Sequence, residues 1–315
     1  MDYSKIKGFN YQPSYGSNGF ELWQKFDEKI IDNELGLGKK YFPKMNAIRL
    51  WLSWDAFCRN RKRFASNFEK ALAIAGRHDL SVMPVLFNRW HDNLLDYGGI
   101  YVDHFLPRIN WVQRENMFDP YMEAIVGKHA GDTRVFAWDL CNEPFSYSCA
   151  PDEIPEIYSA EYAWLEALYN TCKKLGARAP VTVGIHCGVP LSKIEQISDV
   201  LSIHPYWTGS PHQDKSAYEK KLDEDAAFAS KVRKPLLATE TCWGEVDDGR
   251  RVEIIRYTLG ELNKRKIGWL VYLLHHSLIA DAHRPEFGPV GAPGNLAFIE
   301  ADGSLRPGHE IFNEF

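Results

Sequence analysis

The chain has 315 residues, 45% hydrophobic and 25% charged, a balance that buries a sizeable core and excludes a disordered polymer or a short disulfide-stapled scaffold. Its 37 basic and 42 acidic residues sum to −5 with histidines neutral. They are interspersed, which leaves no basic footprint for nucleic acid or an anionic membrane. Ten tryptophans within a 13% aromatic content point to recognition of flat apolar rings as well as core filling.

The opening MDYSKIKGFN has no basic segment followed by an apolar one, and no apolar run approaches the roughly 18 residues of a membrane span. A cytoplasmic protein is therefore expected, or a secreted one if a signal peptide has been removed. Six cysteines show no C-x-x-C spacing; Cys141, Cys187 and Cys242 sit in apolar runs and are expected to be buried thiols.

In chain order, eight apolar or β-branched runs read as strands: 5–10, 45–52, 80–87, 134–141, 179–185, 200–204, 234–240 and 267–274. Several are almost continuously hydrophobic, as in strands covered on both faces by helices. Between them, amphipathic patterns predict helices over 20–35, 66–78, 154–175, 217–232 and 250–265, with Ser66 or Asp152 as suitable N-caps. The fifth unit is short and leaves room for one small helix near Leu191–Ile197. Units of about 38 residues, repeated from the first strand to the eighth, predict one (β/α)8 barrel domain over 1–315. A doubly wound sheet would need a G-x-G-x-x-G turn, and GFNYQPSYGSNG after the first run is not one.

Barrel chemistry sits at the C-terminal strand ends. Strand two carries Arg49; strand three ends at Asn88, with Trp90, His91 and Asp92 following; strand four ends in Asn142 and Glu143. Strand six ends in His204, Pro205 and Tyr206, strand seven in Glu240 followed by Trp243, and strand eight runs into His275 and His276. Two carboxyls facing each other across an aromatic and polar rim are what glycosidic cleavage needs, one to protonate the leaving oxygen and one to attack or to activate water.

The motifs W-D-L-C-N-E-P at 138–144, S-I-H-P-Y-W at 202–207 and A-T-E-T-C-W at 238–243 resemble clan A glycoside hydrolases, most like glycoside hydrolase family 5. The resemblance spans the barrel. It implies Glu143 as acid/base, Glu240 as nucleophile, and Arg49, Asn142, His204 and Tyr206 as their partners and sugar ligands. It implies retention of anomeric configuration and no cofactor. One departure stands out: where such enzymes commonly place a floor tryptophan on strand eight, this chain reads V-Y-L-L-H-H-S at 271–277, so His275 or Trp243 is expected to replace it. Trp90 and His91, with Trp54 and Asp55 after strand two, are candidate sugar contacts. Asp139 is expected to be a structural partner of Arg49.

Two other readings use the same residues. Glu143, His204 and Glu240 could ligate a divalent cation, as in barrel sugar isomerases or epimerases, or the barrel could bind carbohydrate without catalysis. The segments 88–111 and 275–304 are long loops at the catalytic mouth and predict a closed pocket, hence exo attack on oligosaccharides or small β-glycosides. The alternative is endo action on a β-glucan or β-mannan. The oligomeric state is not legible.

Overall fold

A computed structural model describes residues 1–89, 99–108, 112, 114, 116–145, 155–209, 213–279 and 296–315. Strands β1 (Lys7–Tyr11), β2 (Ala47–Trp51), β3 (Ser81–Asn88), β4 (Trp138–Asn142), β5 (Val181–His186), β6 (Leu201–His204), β7 (Leu236–Ala238) and β8 (Gly268–Val271) follow one another in a closed barrel. All ladders are parallel, and β8 returns to β1. The expected single (β/α)8 architecture is the observed one. Every residue of β2, β4 and β6 is buried, which explains their unbroken apolar character: outward side chains meet helices and inward ones fill the barrel.

The expected helix over 20–35 is two helices, α1 (Gly19–Gln24) and α2 (Glu28–Tyr41), because the Asp27 carboxylate caps the N–H groups of Lys29 and Ile30 and restarts the chain there. Ser66 is not a cap: α3 (Trp54–Arg59) is capped by Ser53, and α4 (Arg61–Arg77) by Asn60, which places Ser66 inside α4. Asp152 lies outside the described residues. A short helix, α5 (Asp119–Met122), is followed by α6 (Pro155–Lys174), α7 (Lys215–Val232, capped by Asp214) and α8 (Asp248–Lys264, capped by Asp247). The short fifth crossover is two 3-10 turns, Leu191–Lys193 and Glu195–Ile197. Beside it the outward Ile185 and Ile203 face α7 across a cavity of about 260 Å³.

Buried aromatic rings close the other side, where Phe9 of β1 stacks on Phe312 at 4.5 Å and meets Phe298 at 5.0 Å. The C-terminal turn His309–Glu314 thereby seals the barrel wall against α8. Among the described cysteines, Cys141, Cys172 and Cys242 are buried, but Cys187 is exposed, because it follows the last residue of β5 at the mouth rather than lying within the strand. No helix among the described residues is long and apolar enough to cross a membrane.

Candidate active site

Arg49 organises the barrel interior. It sits at the centre of β2, level with Asn10 on β1 and Met83 on β3, and its side chain is fully buried. Its Nε and Nη2 donate to Asp139 Oδ2 at 3.0 and 2.8 Å, Nη2 also to Asn142 Oδ1 at 2.8 Å, and Nη1 to Asn10 Oδ1 at 2.9 Å and Glu240 Oε1 at 2.5 Å. Burial lowers the pKa of such a group, yet the charges of Asp139 and Glu240 outweigh it and hold the guanidinium above its ordinary value. Burial pushes the Asp139 carboxyl up, opposed by Arg49 and by the Gly184 N–H donating to its Oδ1 at 3.1 Å. Asp139 is thus the expected structural partner of Arg49, and Arg49 also reaches Glu240.

Glu240 follows β7, and its second oxygen accepts from the Tyr206 hydroxyl at 2.9 Å. The Trp243 ring meets Tyr206 edge-on at 5.5 Å. Glu143 follows β4 with a left-handed backbone (φ 45°), its N–H donating to Gly184 O at 2.7 Å. His204, fully buried, places Nδ1 2.7 Å from Glu143 Oε1 and 3.7 Å from Glu240 Oε2, and Nε2 3.0 Å from Thr239 Oγ1. Oxygens of the two glutamates come within 4.8 Å of each other. Asn142 donates from Nδ2 to Asn88 Oδ1 at 3.1 Å, so its amide is oriented from both ends.

Glu143, Glu240, Arg49, Asn142, His204, Tyr206 and Trp243 are therefore brought together. His275 is not among them. It is buried on the α2 side of β8, with Nδ1 donating to His276 O at 3.1 Å and 3.7 Å from Glu34 of α2. Trp90, His91 and Asp92 lie outside the described residues. Trp54 packs on Phe118 at 5.1 Å.

Some neighbours carry no signal in the sequence. Asn10 fixes Arg49 and donates to Thr239 O and Leu270 O. A Cβ on Gly184 would lie 2.9 Å from His204 Nε2 and 3.0 Å from both Arg49 Nη2 and Asp139 Oδ2, so the bare backbone makes room for the charged cluster. His186 ends β5 level with His204; its contact with the Cys187 thiol, then the charges of Glu143 and Glu240, hold its pKa above the ordinary value. Immediately after β8 stands Tyr272, whose hydroxyl donates to Gln12 Oε1 at 3.0 Å and whose ring meets Trp51 edge-on at 6.3 Å. Trp51 in turn lies under the Arg49 guanidinium at 5.1 Å. Tyr272, rather than His275, is the aromatic that strand eight delivers beside this cluster.

One donor atom each from Glu143, His204 and Glu240 would span a cation by distance. Arg49 already supplies a positive charge at Glu240, and His204 Nδ1 is engaged by Glu143, which makes this a carboxyl pair with a built-in counter-charge. A second acidic group, Glu69, His129 and Asp132, is likewise bridged by the Arg134 guanidinium.

No family profile matches the chain. In sequence it is similar to mannan endo-1,4-β-mannosidase A of Hypocrea jecorina, 30% identical over 174 residues, which is 53% of this chain and 36% of that protein. It is also similar to mannan endo-1,4-β-mannosidase A of Emericella nidulans, 28% identical over 117 residues, 35% of this chain and 28% of that protein. The chain thus spans about a third of the length of the curated relatives it matches. In fold it resembles the exo-β-1,4-mannosidase Op5Man5 from Opitutaceae bacterium strain TAV5, with a TM-score of 0.72 at 18% identity over 98% of this chain and 58% of that one. The endo-1,4-β-D-mannanase of Thermotoga petrophila RKU-1 gives 0.68 at 15% identity over 98% of both chains. The sequence similarity to mannan endo-1,4-β-mannosidases agrees with the resemblance carried by the strand-end motifs, and the solved structures share the (β/α)8 fold.

Proposed function

We propose that the chain hydrolyses β-1,4-mannosidic bonds with retention, by double displacement. The observation that carries this is the carboxyl pair: an oxygen of Glu143 lies within 4.8 Å of one of Glu240, a closeness that favours the narrow spacing of about 5–5.5 Å of retaining enzymes over the roughly 6.5–9.5 Å of inverting ones. Mannose as the sugar rests on the names of the relatives.

Glu240, aimed by Arg49 and Tyr206, attacks the anomeric carbon. Glu143, held through Oε1 by His204, gives a proton to the leaving oxygen from its other oxygen. Forming the glycosyl ester removes the charge on Glu240, and Glu143, now a carboxylate, takes a proton from the water that cleaves the ester. Asn142 retains one amide hydrogen for the sugar 2-hydroxyl, a contact that strengthens as the oxocarbenium character develops. No step calls for a metal, and turnover is expected to survive EDTA.

Proton NMR of mannotriose hydrolysis tests the reading: the newly formed reducing end appears first as the β-anomer and mutarotates. A new reducing end formed first as the α-anomer, or cleavage of β-glucosides with mannosides untouched, would overturn it. The names of the sequence relatives favour endo action, whereas the loop lengths after strands three and eight favour a closed pocket and exo action; most residues of those loops lie outside the described ones. Mannan viscosity decides between them: an early steep fall with mixed oligosaccharides marks endo attack, and mannose release at nearly constant viscosity marks exo attack.

A further inference from the structure

Arg251 on α8 is fully buried, and among the described residues no carboxylate pairs with it. Its Nη1 donates to the carbonyls of Cys242 and Trp243, and its Nη2 to those of Tyr272 and Leu296, both at 2.9 Å. The guanidinium also lies over the Phe298 ring at 5.4 Å. A cation taken out of water without a counter-ion is costly, and burial pulls its pKa down to about 10. Such a group persists where its hydrogen bonds over-determine the structure around it. Here they converge on backbone that needs holding: Cys242 has a left-handed φ of 67°, a conformation costing about 1–3 kcal/mol for a non-glycine residue. Arg306 grips the same loop from the other side, donating to Glu245 O at 2.8 Å and pairing with Asp248. The Nη groups of Arg251 are taken up by carbonyls, so it is no anion receptor. What it reaches are the two aromatic sides of the candidate site: Trp243, which packs on the tyrosine bonded to Glu240, and Tyr272, which packs on Trp51.

We propose that Arg251 is a positioning residue: by tying the Cys242 and Trp243 carbonyls to those of Tyr272 and Leu296, it sets the Trp243 ring against Tyr206 and the distance between the aromatic sides of the site. Its catalytic consequence rests on the hydrolase reading above; the clamp itself does not. The charge stays inside the loop junction, so substrate binding changes before chemistry does.

Arg251→Lys in the full chain tests this, since it keeps the charge and removes the fork that reaches four carbonyls. Amide exchange at residues 242–246 rises roughly tenfold or more while β3 and β4 amides stay unchanged. KM for mannoside hydrolysis rises roughly tenfold with kcat within about threefold. In a Trp243→Ala background the same change moves KM less than about twofold, because the residue it acts through is gone. Unchanged exchange at 242–246, or an equal KM increase in both backgrounds, overturns the proposal. Should Arg251→Lys fail to fold, Phe298→Leu, which loosens the guanidinium and leaves its donors in place, shows the same pattern in smaller degree. Absence of wild-type glycoside hydrolysis overturns the function proposed above and leaves the exchange measurement to decide the clamp.

Discussion

Arg49 makes hydrogen bonds to four side chains on three other strand segments, and two of those partners are buried acids. Replacing it with methionine strands Asp139 and Glu240 without a counter-charge, a loss of about 3–5 kcal/mol for breaking a buried pair. Urea unfolding should show that loss, and Arg49→Lys should recover only part of it, since an ammonium cannot fork between Asp139 and Glu240. Under the function proposed above, the two glutamates separate by chemistry. Glu143→Ala removes acid and base, costing roughly 10²–10⁴ in rate on an unactivated mannoside. An activated aryl mannoside still forms the ester with that variant, and azide accelerates it and yields a β-mannosyl azide. Glu240→Ala loses the nucleophile, and azide gives no β-product. A β-azide from the Glu240 variant would exchange the two roles.

At the scale of elements, β4 shows how a strand delivers both a structural and a functional side chain. Asp139 and Asn142 are three residues apart, which simple alternation places on opposite faces. The ladder with β5 shifts register between them, and both side chains contact Arg49. β5 contributes by omission, since Gly184 leaves the space that His204, Arg49 and Asp139 fill. Gly184→Ala adds a methyl group at 2.9–3.0 Å from all three, so the cluster shifts while the outer barrel does not. The expected result is a far-UV spectrum like the wild type with kcat lowered by roughly 10²-fold, from misplacing groups that must hold to within about 0.5 Å. Wild-type kcat in that variant would show that the cluster tolerates displacement. The element behind Glu143 is α6, whose buried Glu161 accepts from Arg89 Nε at 2.9 Å; burial raises the Glu161 pKa, with Arg89 and the Phe145 N–H opposing. The Arg89 bond ties the helix to the end of β3, and the Phe145 N–H ties it to the chain just after β4.

For the molecule as a whole, closure of the barrel wall depends on the C-terminal turn, and His309 makes that closure sensitive to pH. Its Nδ1 donates to Pro307 O at 3.1 Å, its ring meets Phe298 edge-on, and burial, with Arg251 and Arg306 nearby, pulls its pKa down to about 3. The unfolded chain titrates this group near 6.5, so between about 6.5 and 3 the unfolded state binds the extra proton and stability falls as pH falls, by up to about 1.4 kcal/mol per pH unit. His309→Gln should flatten the decline of urea midpoint between pH 6.5 and 4.5, and an unchanged slope would remove His309 from the account. Much of this molecule was legible in its sequence. Eight doubly buried strands have continuous apolar runs because both faces are covered, and functional groups at strand ends stand out because polar residues interrupt those runs. Hence the barrel, and the grouping of Glu143, Glu240, Arg49, Asn142, His204 and Tyr206, followed from pattern and resemblance. What pattern could not reach was set by tertiary packing. Asn10 and Gly184 act only through what stands opposite them across the barrel. Tyr272 rather than His275 reaches the cluster, because β8 ends at Val271 and His275 has already turned toward Glu34 of α2. Arg251 reads in sequence as one more charge on an amphipathic helix. Only the folded chain brings four carbonyls from three segments around it, and the desolvation of that cation demands that all of them be there.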